Sequence, residues 1–270
     1  GNFLYSPDIW FGGVNAELLE FYDIVMEIGT TLTWADQTDH YDIIHDWLNT
    51  GGKSYFLAGD EVLGMLTGWA NGPTADGSLF NDMGIGEIFH DIGSPGVPNA
   101  LDAVMGDMLS GDMYDAVPAG SAIMYDPEYE TGFDNWLDGM APTASATGFL
   151  TDTASGYDVG VYNEWDNGSR TVFCGFDPLS LNSAPDYYWF GASYEGPTVM
   201  SADWFTCAWT TLGDPSEDGN VDVLDVVGIV GDILGTNDYY ACRAEAADAN
   251  ADGGVDVLDV VLVVSWILNP

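Results

Sequence analysis

Basic residues are almost missing from this chain: its 270 residues hold 3 Lys+Arg against 44 Asp+Glu, a formal net charge of −41. Like charge repels phosphate backbones and anionic headgroups, so nucleic acid and anionic membrane surfaces are excluded as partners. Self-repulsion on that scale calls for screening, which near physiological salt acts over about 8 Å; the composition points either to surroundings rich in salt, calcium or other cations, or to a heavily hydrated surface whose acidity only provides solubility. Histidine is as scarce, with His40, His45 and His90 supplying all the imidazole. The three cysteines, Cys174, Cys207 and Cys242, fit no metal-binding spacing, and an odd number allows at most one internal bridge. Cys207–Cys242 is the favoured pair, because it would tie the end of the main domain to the linker between two acidic loops. Long apolar runs are missing too. The longest, near residues 260–268, is too short to cross a bilayer and starts beside Asp259, so no membrane insertion is expected.

What is present suffices for a folded core. At 47% hydrophobic the chain is no disordered polyanion, and its length suits one domain of about 200 residues followed by a small module. The domains are read as 1–212 and 213–270.

The module is announced by two near-identical segments, GDPSEDGNVDVLDVV (213–227) and DANADGGVDVLDVV (248–261), whose first acidic positions, Asp214 and Asp248, lie 34 residues apart. Each offers side-chain oxygen at positions 1, 3, 5, 9 and 12 and glycine at position 6, the arrangement that wraps a hard cation in oxygen. In the first loop the donors are Asp214, Ser216, Asp218, Asp222 and Asp225, with the Asn220 carbonyl at position 7 and Gly219 at the turn. In the second they are Asp248, Asn250, Asp252, Asp256 and Asp259, with the Gly254 carbonyl and the Gly253 turn. Two calcium ions are the expected ligands. Position 12 is Asp in both loops, where an ordinary EF-hand has Glu, so a shorter carboxylate completes the shell.

Each loop runs into an apolar stretch, VLDVVGIVGDIL or VLDVVLVVSWIL, making a unit of one loop and one helix. This tandem resembles a type I dockerin, two loop-helix segments without the entering helix of a full EF-hand pair. The resemblance implies an all-α module that folds when calcium is bound, packs its halves antiparallel and offers a helix face to a partner such as a cohesin. The positions that usually read the partner, 10 and 11, are Val223–Leu224 and Val257–Leu258. Loops needing more calcium than cytosol holds imply an extracellular location, secreted or at the cell surface. One sequon, Asn167-Gly168-Ser169, could accept a glycan at Asn167.

In the main domain, YDIVMEIG (22–29) reads as an apolar strand. Thr33 can cap the helix WADQTDHYDIIHDWLNT, in which Ala35, Tyr41, Ile44, Trp47 and Leu48 recur at helical spacing. Gly51-Gly52 ends it, KSYFLAG (53–59) is the next buried strand, and strands near 157–164 and 170–176 form a hairpin about Asn167-Gly168. SADWFTCAWTTL (201–212) closes the domain as a helix. The alternation predicts a parallel sheet with covering helices.

The stretches YDIVMEIG, LTWADQTDHYDIIHDWLNTGGKSYFLAGDE and GSRTVFCGFDPLSLN are together similar to the class I glutamine-amidotransferase-like domain of secreted proteins, a flavodoxin-like three-layer α/β sandwich. Enzymes of that family carry a cysteine nucleophile in the turn after the strand matching 53–59, and a His-x-Glu pair downstream. Here the turn is Ala58-Gly59-Asp60-Glu61-Val62, and no histidine has Glu two residues later. Nucleophilic acyl transfer is therefore not expected. Asp60 and Glu61 remain open as paired carboxylates for acid/base work or metal binding, or as a chance pair in a very acidic chain. Aromatics such as Tyr187-Tyr188-Trp189-Phe190 could line a carbohydrate site or form core and interface.

By the same resemblance PDIWF (7–11) matches the family's second strand and YDIVMEIG its third, so the first strand, which lies between them, is lacking. Either the chain was cut from a longer precursor or the slot needs a strand from elsewhere, since backbone groups do not stay buried and unsatisfied. If a neighbouring copy donates it head-to-tail, the contact does not close and a fibre grows. The expectation is a secreted, non-enzymatic assembly protein, a subunit of an extracellular fibril joined to copies of itself. The alternative is a dockerin-bearing hydrolase or carbohydrate-binding component on a cohesin-like scaffold.

Overall fold

The structure is a computed structural model and describes residues 16–28, 38–116, 122–130, 132, 134–183, 196–206, 210–216, 218–236, 239 and 241–268. PDIWF, Thr33, Tyr187–Phe190 and Cys207 lie outside them, as does the side chain of Cys242. The Cys207–Cys242 pairing therefore falls outside the described residues. The chain divides into two compact units, Gly1–Ser201 and Ala202–Pro270, a division eleven residues before the boundary read from composition.

In chain order the first unit contains α1 (Ala16–Leu19), β1 (Ile24–Ile28), α2 (Thr38–Leu48), β2 (Ser54–Ala58), α3 (Val62–Thr67), β3 (Gly72–Pro73), α4 (Leu79–Asp82), β4 (Ile85–Phe89), β5 (Asn99–Ala103), α5 (Gly111–Ala116), β6 (Ile123–Tyr125), α6 (Pro127–Glu130), β7 (Gly139–Pro142), β8 (Thr147–Asp152), β9 (Asp158–Glu164), β10 (Arg170–Cys174) and β11 (Leu181–Ser183). It is a mixed α/β unit built on one large sheet of order β1-β2-β10-β9-β8-β5-β6-β11, from which β7, β4 and β3 branch beside β9.

Among the described residues parallel pairing is confined to β1–β2 and β2–β10; the other pairs are antiparallel. The parallel sheet expected from the alternation is thus limited to three strands. Connection length is the reason. Residues 153–157 join β8 to β9 and residues 165–169 join β9 to β10, too few for the crossover of a dozen or more residues that parallel neighbours need.

All five residues of β2, and all five of β10, are buried, as expected of strands covered on both faces. Against them lies α2, which turns Ile44, Trp47 and Leu48 into the core with Leu63, Ile85 and Phe173. Burying a side chain such as Leu48 stabilises by about 1.5–3 kcal/mol. The Trp47 indole also donates to the Leu19 carbonyl at 3.1 Å, and His40 reaches Glu27 of β1 at 2.7 Å. Gly51 and Gly52, at φ 90° and 63°, end the helix in a conformation that costs glycine little.

The scarce cations are engaged. Lys53 Nζ pairs with Asp23 at 2.6 Å and lies 5.8 Å from the centre of the Trp47 ring. Arg170 is wholly buried in β10, 3.7 Å from Glu164.

The hairpin about Asn167-Gly168 forms with Arg170 opposite Glu164. Gly168 adopts φ 77°, and Asn167 Oδ1 accepts from the Ser169 N–H. Asn167 Nδ2, where a glycan would attach, donates to the Leu48 carbonyl at 3.0 Å, and the Ser169 hydroxyl donates to the same oxygen at 2.7 Å. The sequon thereby links the hairpin to the end of α2.

The closing helix, α7, runs over Pro197–Phe205 instead of 201–212, so the division between the units falls within it. Gly196-Pro197 accounts for the earlier start, since proline lacks an N–H that the first helical turn does not use.

The second unit adds α8 (Val223–Ile233), α9 (Ala241–Ala247) and α10 (Val257–Leu268). Its core joins Ile229, Ala247, Ala249 and Val263, with Tyr239 and Trp266 against them. Ile229 and Val263 stand 34 residues apart, so the repeat buries the same position twice. The second loop does have an entering helix, α9, contrary to the bare loop-helix unit read from sequence. Its sequence ACRAEAA is rich in alanine, the strongest helix former.

Candidate metal centre

Both acidic loops fold back on their own carboxylates, and do so alike. Asp214 at position 1 accepts the N–H of Asp218 at 3.3 Å and of Gly219 at 2.9 Å. Asp248 accepts those of Asp252 and Gly253 at 3.0 and 2.8 Å. At position 12, Asp225 takes the N–H of Ser216 on one oxygen and of Asp222 on the other, at 3.2 and 2.8 Å; Asp259 takes those of Asn250 and Asp256 at 3.0 and 2.8 Å. Position 9 caps the following helix, Asp222 accepting from Leu224 and Asp256 from Leu258, each at 2.7 Å. Asp222 and Asp225 complete a reciprocal capping box. Gly219 and Gly253 hold φ 83° and 93° at position 6, a backbone state that only glycine takes without strain.

The remaining donors follow the same scheme. Ser216 Oγ donates to Asp214 at 3.1 Å, and Asp218 Oδ1 accepts from Asn220 N at 2.8 Å. Asn250 Oδ1 accepts from Asp252 N at 2.8 Å, and Asp252 Oδ1 from Gly254 N at 3.2 Å.

Asp225 and Asp259 are 1% and 0% exposed, and Asp214 is 4% exposed. Burial holds the Asp214 carboxyl above its ordinary range, and the charge of Asp225 pushes it further. None of the ion pairs seen among the described residues involves a loop carboxylate. Each loop therefore combines buried negative charge with oxygen-only donors, a chemistry that fits calcium. Among the described residues no three His, Cys, Asp or Glu side chains stand together as a metal-holding group; the loop carboxylates are instead turned to backbone N–H groups.

The other acidic pair singled out in the sequence lies at the end of β2. Asp60 Oδ2 accepts from the Tyr125 hydroxyl at 2.9 Å and from Trp136 N at 3.1 Å, while Glu61 takes φ 73° in the turn into α3. The fold adds two residues that sequence reasoning passed over as a pair. His90 Nδ1 lies 3.2 Å from Asp138 Oδ1, which also accepts the Asp91 N–H at 3.1 Å. Asp60 and Glu61 are raised to about 7 each, chiefly by burial and then by acidic neighbours, while the bonds from Trp136 and Tyr125 pull Asp60 down and the His90 charge pulls Glu61 down. Asp138 is raised by burial and His90 by Asp138 against the effect of its own burial. No local signal joins residues 60, 90 and 138, which only the sheet brings together. No protein-family model, curated protein or solved structure matches the chain.

Proposed function

We propose that this chain is a secreted, non-enzymatic assembly protein whose C-terminal unit is a dockerin-like calcium module, and that it joins copies of itself into an extracellular fibril. The observation that carries the reading is the doubling of an exposed apolar stripe. Val223, Leu224, Val227, Val230 and Leu234 of the first repeat are exposed, and so are Val257, Leu258, Val261, Val264 and Leu268, each 34 residues on. Ten outward apolar residues on two short helices form the kind of surface that marks protein association. Positions 10 and 11, Val223–Leu224 and Val257–Leu258, are 58–64% exposed, as a partner-reading face requires.

Calcium would be held by Asp214, Ser216, Asp218, Asp222, Asp225 and the Asn220 carbonyl, and by Asp248, Asn250, Asp252, Asp256, Asp259 and the Gly254 carbonyl. It would offset their mutual repulsion and lock the loop that starts each stripe-bearing helix. The main unit reads as a flavodoxin-like domain. In support, β1 ends the strand order among the described residues, leaving its outer edge open to another strand. The turn at Asp60-Glu61 offers no cysteine or serine nucleophile.

Light scattering and electron microscopy with calcium and with chelator test this. Calcium-dependent polymers are expected, and Leu224→Glu with Leu258→Glu should abolish them while leaving the fold intact. A monomer at micromolar concentration with calcium present would sink the self-assembly reading. If that monomer formed a one-to-one complex with a cohesin, it would be a docking component instead.

A further inference from the structure

We propose that the carboxyl end of β2 binds a primary ammonium group, held by Asp60 Oδ1, Glu61 Oε2 and Asp138 Oδ2, three buried oxygens that accept no hydrogen bond among the described residues. Asp60 and Glu61 follow β2, Asp138 precedes β7, and His90 and Asp91 follow β4. This is the strand end at which α/β sheets place ligands.

The side chains of Asp60, Glu61 and Asp138 belong to residues 4%, 8% and 0% exposed. Asp60 and Asp138 are each oriented by two donors on one oxygen, which leaves the other unsatisfied. A buried acceptor left so is costly, and natural structures rarely gather several without a purpose. The backbone is strained beside them: Glu61, Trp69 and Asp91 hold φ 73°, 63° and 55°, a state that for non-glycine residues clusters at ligand sites.

An ammonium answers three acceptors of negative charge with three donors and no acceptor of its own. A metal is the competing occupant, and calcium binding is tested separately below. Ammonium–carboxylate contacts of about 2.7–2.9 Å span a wider gap than calcium–oxygen bonds of about 2.3–2.6 Å. A guanidinium presents five donors in a rigid plane, more than this set of acceptors receives. Trp69, half exposed with its ring 6.1 Å from that of His90, adds an aromatic surface that favours a cation. The chain cannot fill the site from its own lysine, because Lys53 is paired with Asp23 and precedes the opposite end of β2. The amine comes from outside, as a lysine side chain or as the α-amine of a peptide or small molecule.

Titration calorimetry on the whole chain in calcium buffer tests this with three probes: N-α-acetyl-lysine amide for the ε-amine, glycinamide for the α-amine, and N-acetylglycinamide, which has neither. Saturable binding of one or both amines is expected, with no heat from the acetylated control; the amine that binds identifies the source. Glu61→Gln, at the most exposed of the three positions, should weaken binding by about tenfold or more, equal to about 1.4 kcal/mol. Asp138→Asn should do the same, with circular dichroism checking its fold. Two results would overturn the proposal: no binding of either amine, or undiminished binding by Glu61→Gln. So would calcium binding at the cluster in a chain carrying Asp225→Ala and Asp259→Ala, which would make it a metal site. Failure here leaves calcium-dependent association unaffected, so the two readings fall separately.

Discussion

In the loops of the second unit, Asp225 and Asp259 give both oxygens to backbone N–H groups nine and three residues behind them. At the end of β2, Asp60 and Asp138 give one oxygen and hold back the other. The loops handle their charge locally, with donors supplied by the same short segment. The strand-end cluster is assembled across residues 60 to 138, and its donors stop short of completing it. Burying a carboxylate is costly unless hydrogen bonds or a cation compensate. In the loops, donors from the same segment reach both oxygens of the position-12 carboxylate and calcium would offset the remaining charge; at the strand end the chain's donors leave one oxygen of each carboxylate for the proposed ammonium group.

The largest effect that could break this comparison is removal of calcium. With chelator the second unit should lose α8 and α10 by circular dichroism, because calcium at about 100 times its dissociation constant contributes about 2.7 kcal/mol. An unchanged melting transition of that unit would show that the N–H groups alone suffice. Next come Asp225→Ala and Asp259→Ala, each expected to cost about 2–4 kcal/mol through the lost cap and the buried N–H groups left without an acceptor. Their costs should match in denaturant titrations, and a marked inequality would end the equivalence of the loops.

The cluster should make the main unit more stable in acid. Asp60 and Glu61 have folded-state values raised to about 7, so their unfolded forms ionise first. The stability they contribute is full below about pH 4 and is lost as pH rises from there through about 7, by several kcal/mol in all. Thermal melts of the main unit's transition at several pH values check this, and Asp60→Asn should flatten the slope. The smallest effect on stability belongs to Leu224→Glu and Leu258→Glu, within about 0.5 kcal/mol each because both side chains are exposed.

What was legible in the sequence follows the same division. Asp214 and Asp225 belong to one segment of 12 positions, so their spacing announces the loop; the hairpin about Asn167-Gly168 and the buried strand 54–58 are equally local. The antiparallel majority of the sheet was not legible, because β4 reaches β7 and β5 reaches β8 across some fifty residues without a pattern that names the partner. Asp138 is the sharpest case. One Asp among 44 Asp+Glu gives no sign that it will meet His90, and only the β4–β7 pairing brings the two together. The entering helix α9 was missed because ACRAEAA carries no apolar period, although its alanine content favours helix.

The shortage of basic residues has one more consequence. A protease that cuts after lysine or arginine has three bonds to choose from in this chain, those following Lys53, Arg170 and Arg243. The first enters β2 and the second lies within β10, the two fully buried neighbours of the parallel trio, while the third lies inside α9. Digestion by such an enzyme must wait for the fold to open, so the near-absence of basic residues should slow trypsin-like cleavage of the native chain.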